Sequence, residues 1–493
     1  MHSKKRTAIV FMLVGVILVL MAACTGGEAD TPPDDPAPAD PGDTPPDEPA
    51  DPPAAPELFG DAIRGGLLYD KWWVPTGQDK PEADHPLWAT QDTNTRSGAD
   101  TWRCKECHGW DYQGADGAYG SGSHFTGFVG VYSFSMGDPN EALAALQGAT
   151  NPDHDFSSVM DEQALIDLAL FITNETVDYL QAAGADKVAL SSDLAGGEAL
   201  FQDTCAECHG PSGLAINFSG EVTDPEYVSG LAAGNPWEFL HKVRFGHPGS
   251  EMPSAIDAGW SFEEQAAVLA YSQSLPNSNP VTEGGLLYDK WWKAMGADEP
   301  EGDNPLWATQ STNERSGADT WRCKECHGWD YQGADGAYAT GSHFTGFTGV
   351  FGAAGMTSDE LVAWLNGGAN ADHDFSAYMD QSVMDMIVAW LQGGMVDMSM
   401  YINEDKSANG DAEKGKALYE GTCARCHGDD GQGINFGSDD DPEYMGGLAN
   451  GNPWETLHKA ANGQPGTGMP SGINLGWSWQ DLVDLLAYLQ TLP

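Results

Sequence analysis

The chain has 493 residues, enough for several domains, and Asp and Glu outnumber Lys and Arg by 74 to 22, a formal charge of −52. Binding to a nucleic-acid backbone relies on Lys and Arg, so that class of partner is excluded and a basic protein surface is the expected one. Aromatic residues make up 10% of the chain, with 17 Trp, which excludes wholesale disorder.

Lys4, Lys5 and Arg6 precede an apolar run at 8–23, and Ala22-Ala23 stands before Cys24. Charge, then a short apolar run, then small residues, is the pattern of an export signal, and residues 1–23 are read as one. The segment resembles a bacterial lipoprotein signal, which implies lipidation of Cys24 and a membrane anchor. Met21 stands where that pattern has Leu, so ordinary cleavage and an uncleaved anchor stay open. Residues 25–57 carry eleven Pro and ten Asp or Glu, with no Lys, Arg or aromatic residue. Such a stretch cannot bury a core and is read, as segment 24–57, as an extended spacer. The expected location is the outer face of the cytoplasmic membrane, the periplasm or the cell exterior.

Repeats organise the rest. GGLLYDKWW at 65–73 returns at 284–292, and WRCKECHGWDYQGADGAY at 102–119 returns at 321–338, both 219 residues on. The Cys205 segment returns at Cys423, 218 residues on. The chain is therefore read as two unlike domains used twice: A1 (58–190), B1 (191–280), A2 (281–405) and B2 (406–493), with 276–280 joining the halves. Apolar residues at helical spacing predict helices over 162–172 and 381–391 in the A segments. In the B segments they predict 197–204, 235–243, 262–275, 413–422, 452–460 and 479–492. No run of period-two alternation occurs, so the expected fold is all-α with long loops.

Eight of the nine cysteines form four C-x-x-C pairs, each followed by histidine: Cys104, Cys107 and His108; Cys205, Cys208 and His209; Cys323, Cys326 and His327; Cys423, Cys426 and His427. Two thiols three positions apart and then His match covalent haem c attachment. The thiols become thioethers on the vinyl groups and the imidazole binds the iron. A structural zinc site needs four ligands in one place. A thioredoxin-type pair expects a βαβ setting and gives the His no task. Disulfides suit an exported chain but also ignore the His. Four such motifs predict four haems c.

The B segments resemble class I cytochrome c. Gly197, Phe201 and Cys205 follow at intervals of four, then comes Met252-Pro253, then a closing helix with Tyr271; B2 repeats this with Gly415, Tyr419, Cys423, Met469-Pro470 and Tyr488. The resemblance implies four cytochrome c-like haem domains in A-B-A-B order. It also implies first and last helices crossing at the small Gly, an aromatic pair at the crossing, and Met252 and Met469 as sixth iron ligands. His247 is a rival in B1, but Gln464 stands at its place in B2. His241 and His458 fall within predicted helices and are read as packed or bonded near the haem edge.

The A segments keep the helix start (Gly65, Tyr69; Gly284, Tyr288), but Cys104 lies 35 residues past Tyr69, the gap filled by an insertion rich in Trp, Pro and Asn. Met160 and Met379 each lie 52 residues beyond the proximal His, directly before the closing helix, where the family has its ligand. His154 and His373, and His124 and His343, occur in both copies and stay open as alternatives. Trp102, Trp110 and Tyr112 are expected to wrap the macrocycle, and Arg103 and Arg322 to meet a propionate.

The resemblance implies electron transfer outside the cytoplasmic membrane. The partners expected are basic, or basic-patched, electron-transfer proteins or respiratory complexes. A multihaem oxidoreductase with one open or labile haem, of thiosulfate dehydrogenase or peroxidase type, is the alternative. A filament-forming cytochrome is a third reading.

Overall fold

A helix near the start of each segment crosses a helix near its end, and a glycine stands at the contact. The structure, a computed structural model, describes residues 56–493; the signal, Cys24 and almost all of the spacer lie outside the described residues. In chain order the elements that set the site are α1 (Ala62–Lys71), α2 (Pro139–Leu146), α3 (Glu162–Asn174), α4 (Leu194–Leu200), α5 (Pro236–Phe245) and α6 (Phe262–Ser274). The second half repeats them as α7 (Pro280–Ala294), α8 (Ser358–Leu365), α9 (Gln381–Gly393), α10 (Ala412–Leu418), α11 (Pro453–Asn462) and α12 (Trp479–Leu489). The fold is all-α, with isolated β-bridges but no strands among the described residues.

The closing helices begin where their sequences supply caps. Asp161 and Asp380 accept backbone N–H bonds from the first turns of α3 and α9. Ser261 with Glu264, and Ser478 with Asp481, close reciprocal capping boxes on α6 and α12. Asn235 and Asn452 cap α5 and α11, each with Pro at the first helical position. The predicted opening helices of B1 and B2 hold only to Leu200 and Leu418. There each loosens into one π-type turn, 201–205 and 419–423, that delivers the first cysteine.

At the four crossings the backbones nearly touch. A methyl group at Gly65 would overlap the Asp167 carbonyl, at Gly197 the Ala267 carbonyl, at Gly284 the Met386 carbonyl and at Gly415 the Asp484 carbonyl. An aromatic pair packs beside each: Tyr69–Phe171, Phe201–Tyr271, Tyr288–Trp390 and Tyr419–Tyr488, with centroids 5.3, 5.5, 4.5 and 5.4 Å apart. The crossing that the resemblance implied for B thus occurs in A as well.

Each A segment shares one apolar core with the B segment after it. The first core runs from Leu68 and Trp72 through Leu168 to Leu240 and Phe245; the second runs from Leu287 through Ile387 to Leu457 and Leu485. A polar seam is set into each. His241, fully buried in α5, reaches Tyr112 Oη with Nδ1 at 2.8 Å and the Gly66 carbonyl with Nε2 at 3.0 Å. His458 repeats both distances to Tyr331 and Gly285. Both ring nitrogens are engaged, in agreement with reading these histidines as packed and bonded. Beside them the buried Asp70 pairs with Arg103 and with Lys242 at 3.3 Å, and Asp289 pairs with Arg322 at 2.5 Å and Lys459 at 2.7 Å.

Burial lowers the imidazole of His241 to about 3 and that of His458 to about 4, although Asp70 and Asp289 pull the other way. The ordinary value is about 6.5, so on acidification the unfolded chain binds these protons first. Their contribution is therefore complete above about pH 6.5 and is lost as pH falls toward 4. Thermal unfolding of the intact protein at pH 7 and pH 5 should give a lower Tm at pH 5. A His241→Gln, His458→Gln variant should be less stable at pH 7, by about 1–3 kcal/mol per buried partner left unsatisfied, with a shallower pH slope.

Candidate haem sites

The four C-x-x-C-H motifs sit at the starts of short helical turns: Cys104–His108 and Cys323–His327 in A, and the Cys205 and Cys423 turns running into Ala206–His209 and Ala424–His427 in B. Each motif is followed by a glycine of one shape. Gly109, Gly210, Gly328 and Gly428 have φ of 75–77° and ψ of 158–160°, a region essentially closed to other residues. The glycine turns the chain sharply away after the histidine. Its carbonyl accepts the hydroxyl of the crossing aromatic at 2.6 Å: Tyr69 to Gly109, Tyr288 to Gly328 and Tyr419 to Gly428. B1 has Phe201 there and lacks the bond. The helix crossing therefore holds the attachment turn directly, a link that sequence reading missed although Gly follows every motif.

In A1 the motif opens on a cavity of about 320 Å³. Cys104, Cys107 and His108 line one side; Trp102, Phe156 and Ile172 supply apolar wall. His108 donates from Nδ1 to the Val129 carbonyl at 2.6 Å, and His327 does the same to Thr348. That bond fixes the ring and leaves Nε2 as the free nitrogen. In B the Nδ1 atoms of His209 and His427 are buried without a partner.

The thiols lack the character of a disulfide-exchange pair. Burial pushes Cys104, Cys323, Cys205 and Cys423 up to about 12, so little thiolate exists at neutral pH. A disulfide-exchange pair needs the opposite shift. None of the eight motif cysteines is paired with another as a disulfide, and among the described residues no three His, Cys, Asp or Glu side chains converge as a metal-ion cage. The residues present fit a covalently held macrocycle: paired thiols, a fixed imidazole, and an apolar cavity beside them.

The expected neighbours divide between the A1 cavity wall and the cores. Met160 and Met379 are buried in the apolar cores, and Met160 is not part of the cavity wall; His154 is. His124 and His343 stack on Tyr119 and Tyr338 at 4.9 and 4.8 Å, and His124 is likewise outside the wall. Trp102 lines the cavity, but Trp110 and Tyr112 face the seam, against His241. Arg103 borders the cavity while bonding to Asp70, through its side chain and through Nε to the backbone carbonyl at 2.9 Å. Met252 and Met469 lie half-buried in loops after α5 and α11, their N–H groups donating to Ser250 Oγ and Thr467 Oγ1 at 3.3 and 3.2 Å. His85, unnoticed in the sequence, also lines the A1 cavity; its Nδ1 caps the turn at Leu87, a task Asn304 performs in A2.

The two B motifs meet. The Arg425 guanidinium, between Cys423 and Cys426, lies 3.3 Å from Cys208 Sγ and 3.7 Å from Glu251. Gly210 packs on the Asn474 carbonyl of the other half, and Asn474 Nδ2 donates to the Leu214 carbonyl at 2.9 Å.

A family model described as cytochrome c matches residues 412–493, and one described as cytochrome c oxidase, cbb3-type, subunit III matches residues 192–271. Among solved structures, a thiosulfate dehydrogenase (TsdBA) from Marichromatium purpuratum, in its as-isolated form, aligns over 82% of this chain and 89% of its own. Its identity is 17% and its TM-score 0.19, too low to carry an argument. No curated protein matches the chain. The chain thus carries two cytochrome c domains, whose class binds haem c covalently and transfers electrons. Among the described residues no helix is long and apolar enough to cross a membrane.

Replacing Tyr69 by Phe removes one buried hydrogen bond and should lower stability by about 1 kcal/mol, read from denaturant unfolding. The same change at Tyr271, whose hydroxyl only receives a bond from Gln202 at 3.2 Å, should cost less.

Proposed function

We propose that the chain is a tetrahaem c-type cytochrome that passes electrons between redox partners outside the cytoplasmic membrane. The observation that carries this reading is the fourfold recurrence of one construction: helix crossing, C-x-x-C-H, and a turn-forming glycine. Bound haem supplies a one-electron ferric–ferrous couple at each site. Cys104 and Cys107, Cys205 and Cys208, Cys323 and Cys326, and Cys423 and Cys426 hold it covalently. His108, His209, His327 and His427 are the proximal ligands, with Met252 and Met469 the sixth ligands in B. Segments 58–190 and 281–405 then form haem domains of the same kind as 191–280 and 406–493.

The contact between the Cys205 and Cys423 turns supports transfer between the halves. One cationic side chain bridges the two attachment points, 3.3 Å from Cys208 Sγ. A cation beside both attachment turns would favour the reduced state of haems held there. An Arg425→Gln variant should lower the B-site midpoint potentials in a spectroelectrochemical titration and leave the other sites unchanged.

The acidic balance supports a basic docking partner. Buried cations such as Arg103, Arg244, Lys105 and Lys242 are already committed to internal pairs, which leaves the exposed charge strongly negative. Association with such a partner should weaken steeply between low and physiological ionic strength. A lipid on Cys24 and the acidic spacer would tether the haem domains to a membrane.

Protein matured in a host that attaches haem c should weigh the polypeptide plus four haems. A mass of bare polypeptide plus lipid would end this reading. Carbon monoxide added to the reduced protein should leave a carrier's spectrum nearly unchanged; a prompt shift at one haem would favour the oxidoreductase alternative.

A further inference from the structure

Two histidines face each other across the A sites. In A1 the rings of His108 and His154 are 6.1 Å apart between centroids, at 82°; in A2 those of His327 and His373 are 6.2 Å apart, at 65°. Two imidazoles sharing one metal at about 2 Å on each side, each ring centre about 1 Å behind its nitrogen, lie about 6 Å apart. The spacing therefore suits one iron between them.

The second histidine is built in like the first. His154 Nδ1 bonds the Ala145 carbonyl of α2 at 3.2 Å, and His373 Nδ1 bonds the Trp364 carbonyl of α8 at 2.8 Å. In both copies all four Nδ1 atoms are thus held by backbone carbonyls, the support that orients imidazole ligands. The loop that carries the ring is itself fixed. Phe156 donates to the Leu146 carbonyl at 3.0 Å and Phe375 to the Leu365 carbonyl at 2.8 Å, so each loop folds onto the end of its helix. Asn151 and Asn370 brace the turn before it, accepting from Asp153 and Asp372 at 3.1 Å.

The competing groups are placed otherwise. Met160 and Met379 are 3% and 2% exposed and pack in the cores. His85 reaches the cavity in A1, but its counterpart Asn304 can offer only an amide, and both serve as caps.

We propose that the A haems are held by two histidines, His108 with His154 and His327 with His373, while the B haems keep a methionine. This rests on the reading of four haem sites. Two imidazoles hold a haem at lower potential than His with Met, so the chain would carry two classes of potential, alternating along A-B-A-B. Electrons would then run downhill from each A site to the B site across its seam.

The test uses the intact protein with four haems established by mass, which separates failure of this ligand assignment from failure of the tetrahaem reading. In the oxidised protein the near-infrared methionine–iron band, measured per haem, should have half the intensity of a fully Met-ligated standard. Met160→Leu with Met379→Leu keeps volume in the core and should leave the band unchanged. His154→Gln with His373→Gln should also keep the band, while two haems become high-spin and bind carbon monoxide. A band at full intensity, its halving by the Met→Leu pair, or unchanged low-spin A haems in the His→Gln pair would overturn the assignment.

Discussion

Everything in this fold hangs on two helix backbones brought to touching distance at a glycine. Where Gly65, Gly197, Gly284 and Gly415 meet carbonyl groups of the closing helices, no side chain intervenes. That closeness lets an aromatic ring lie beside the crossing and, in three of the four cases, reach the carbonyl of the glycine after the motif histidine. A local sequence motif is thereby fixed in space by a tertiary contact. A Cβ at the crossing would push the helices apart, at about 1–3 kcal/mol, and carry the attachment turn with it.

The identical stretches at 102–119 and 321–338 work on two faces at once. Trp102, Cys104, Cys107 and His108 line the cavity, while Trp110 and Tyr112 turn to the seam with α5. Tyr112 and Tyr331 adopt positive φ, 65° and 66°, which directs the hydroxyl to the buried histidine of the next domain. Arg103 joins the two faces through Asp70, which Lys242 also pairs. Losing one partner of such a buried cluster costs about 3–5 kcal/mol, so few positions in the stretch are free to change.

Such sharing also bears on electron flow. A and B meet through a common core with a polar seam set into it, and B1 meets B2 at the attachment turns themselves. The exposed surface, meanwhile, is left to acidic side chains, which contribute little to the fold.

The sequence alone determined what depends on neighbours along the chain. The four C-x-x-C-H motifs, the closing helices, the repeat and the all-α class were legible, because spacing of three or four residues is chemistry that the backbone carries locally; the caps and the helices α2 and α8 were not read from it. The crossing glycines were legible too, through the resemblance. The tertiary structure decided which side chain faces each cavity. Met160 and His154 are six residues apart and equally available in one dimension; only the fold of their loop onto α2 turns the imidazole in and the thioether into the core. His241 and Tyr112, 129 residues apart, and Arg425 and Cys208, 217 apart, meet for the same reason. Their pairing is set by how helices pack, and no local pattern encodes that.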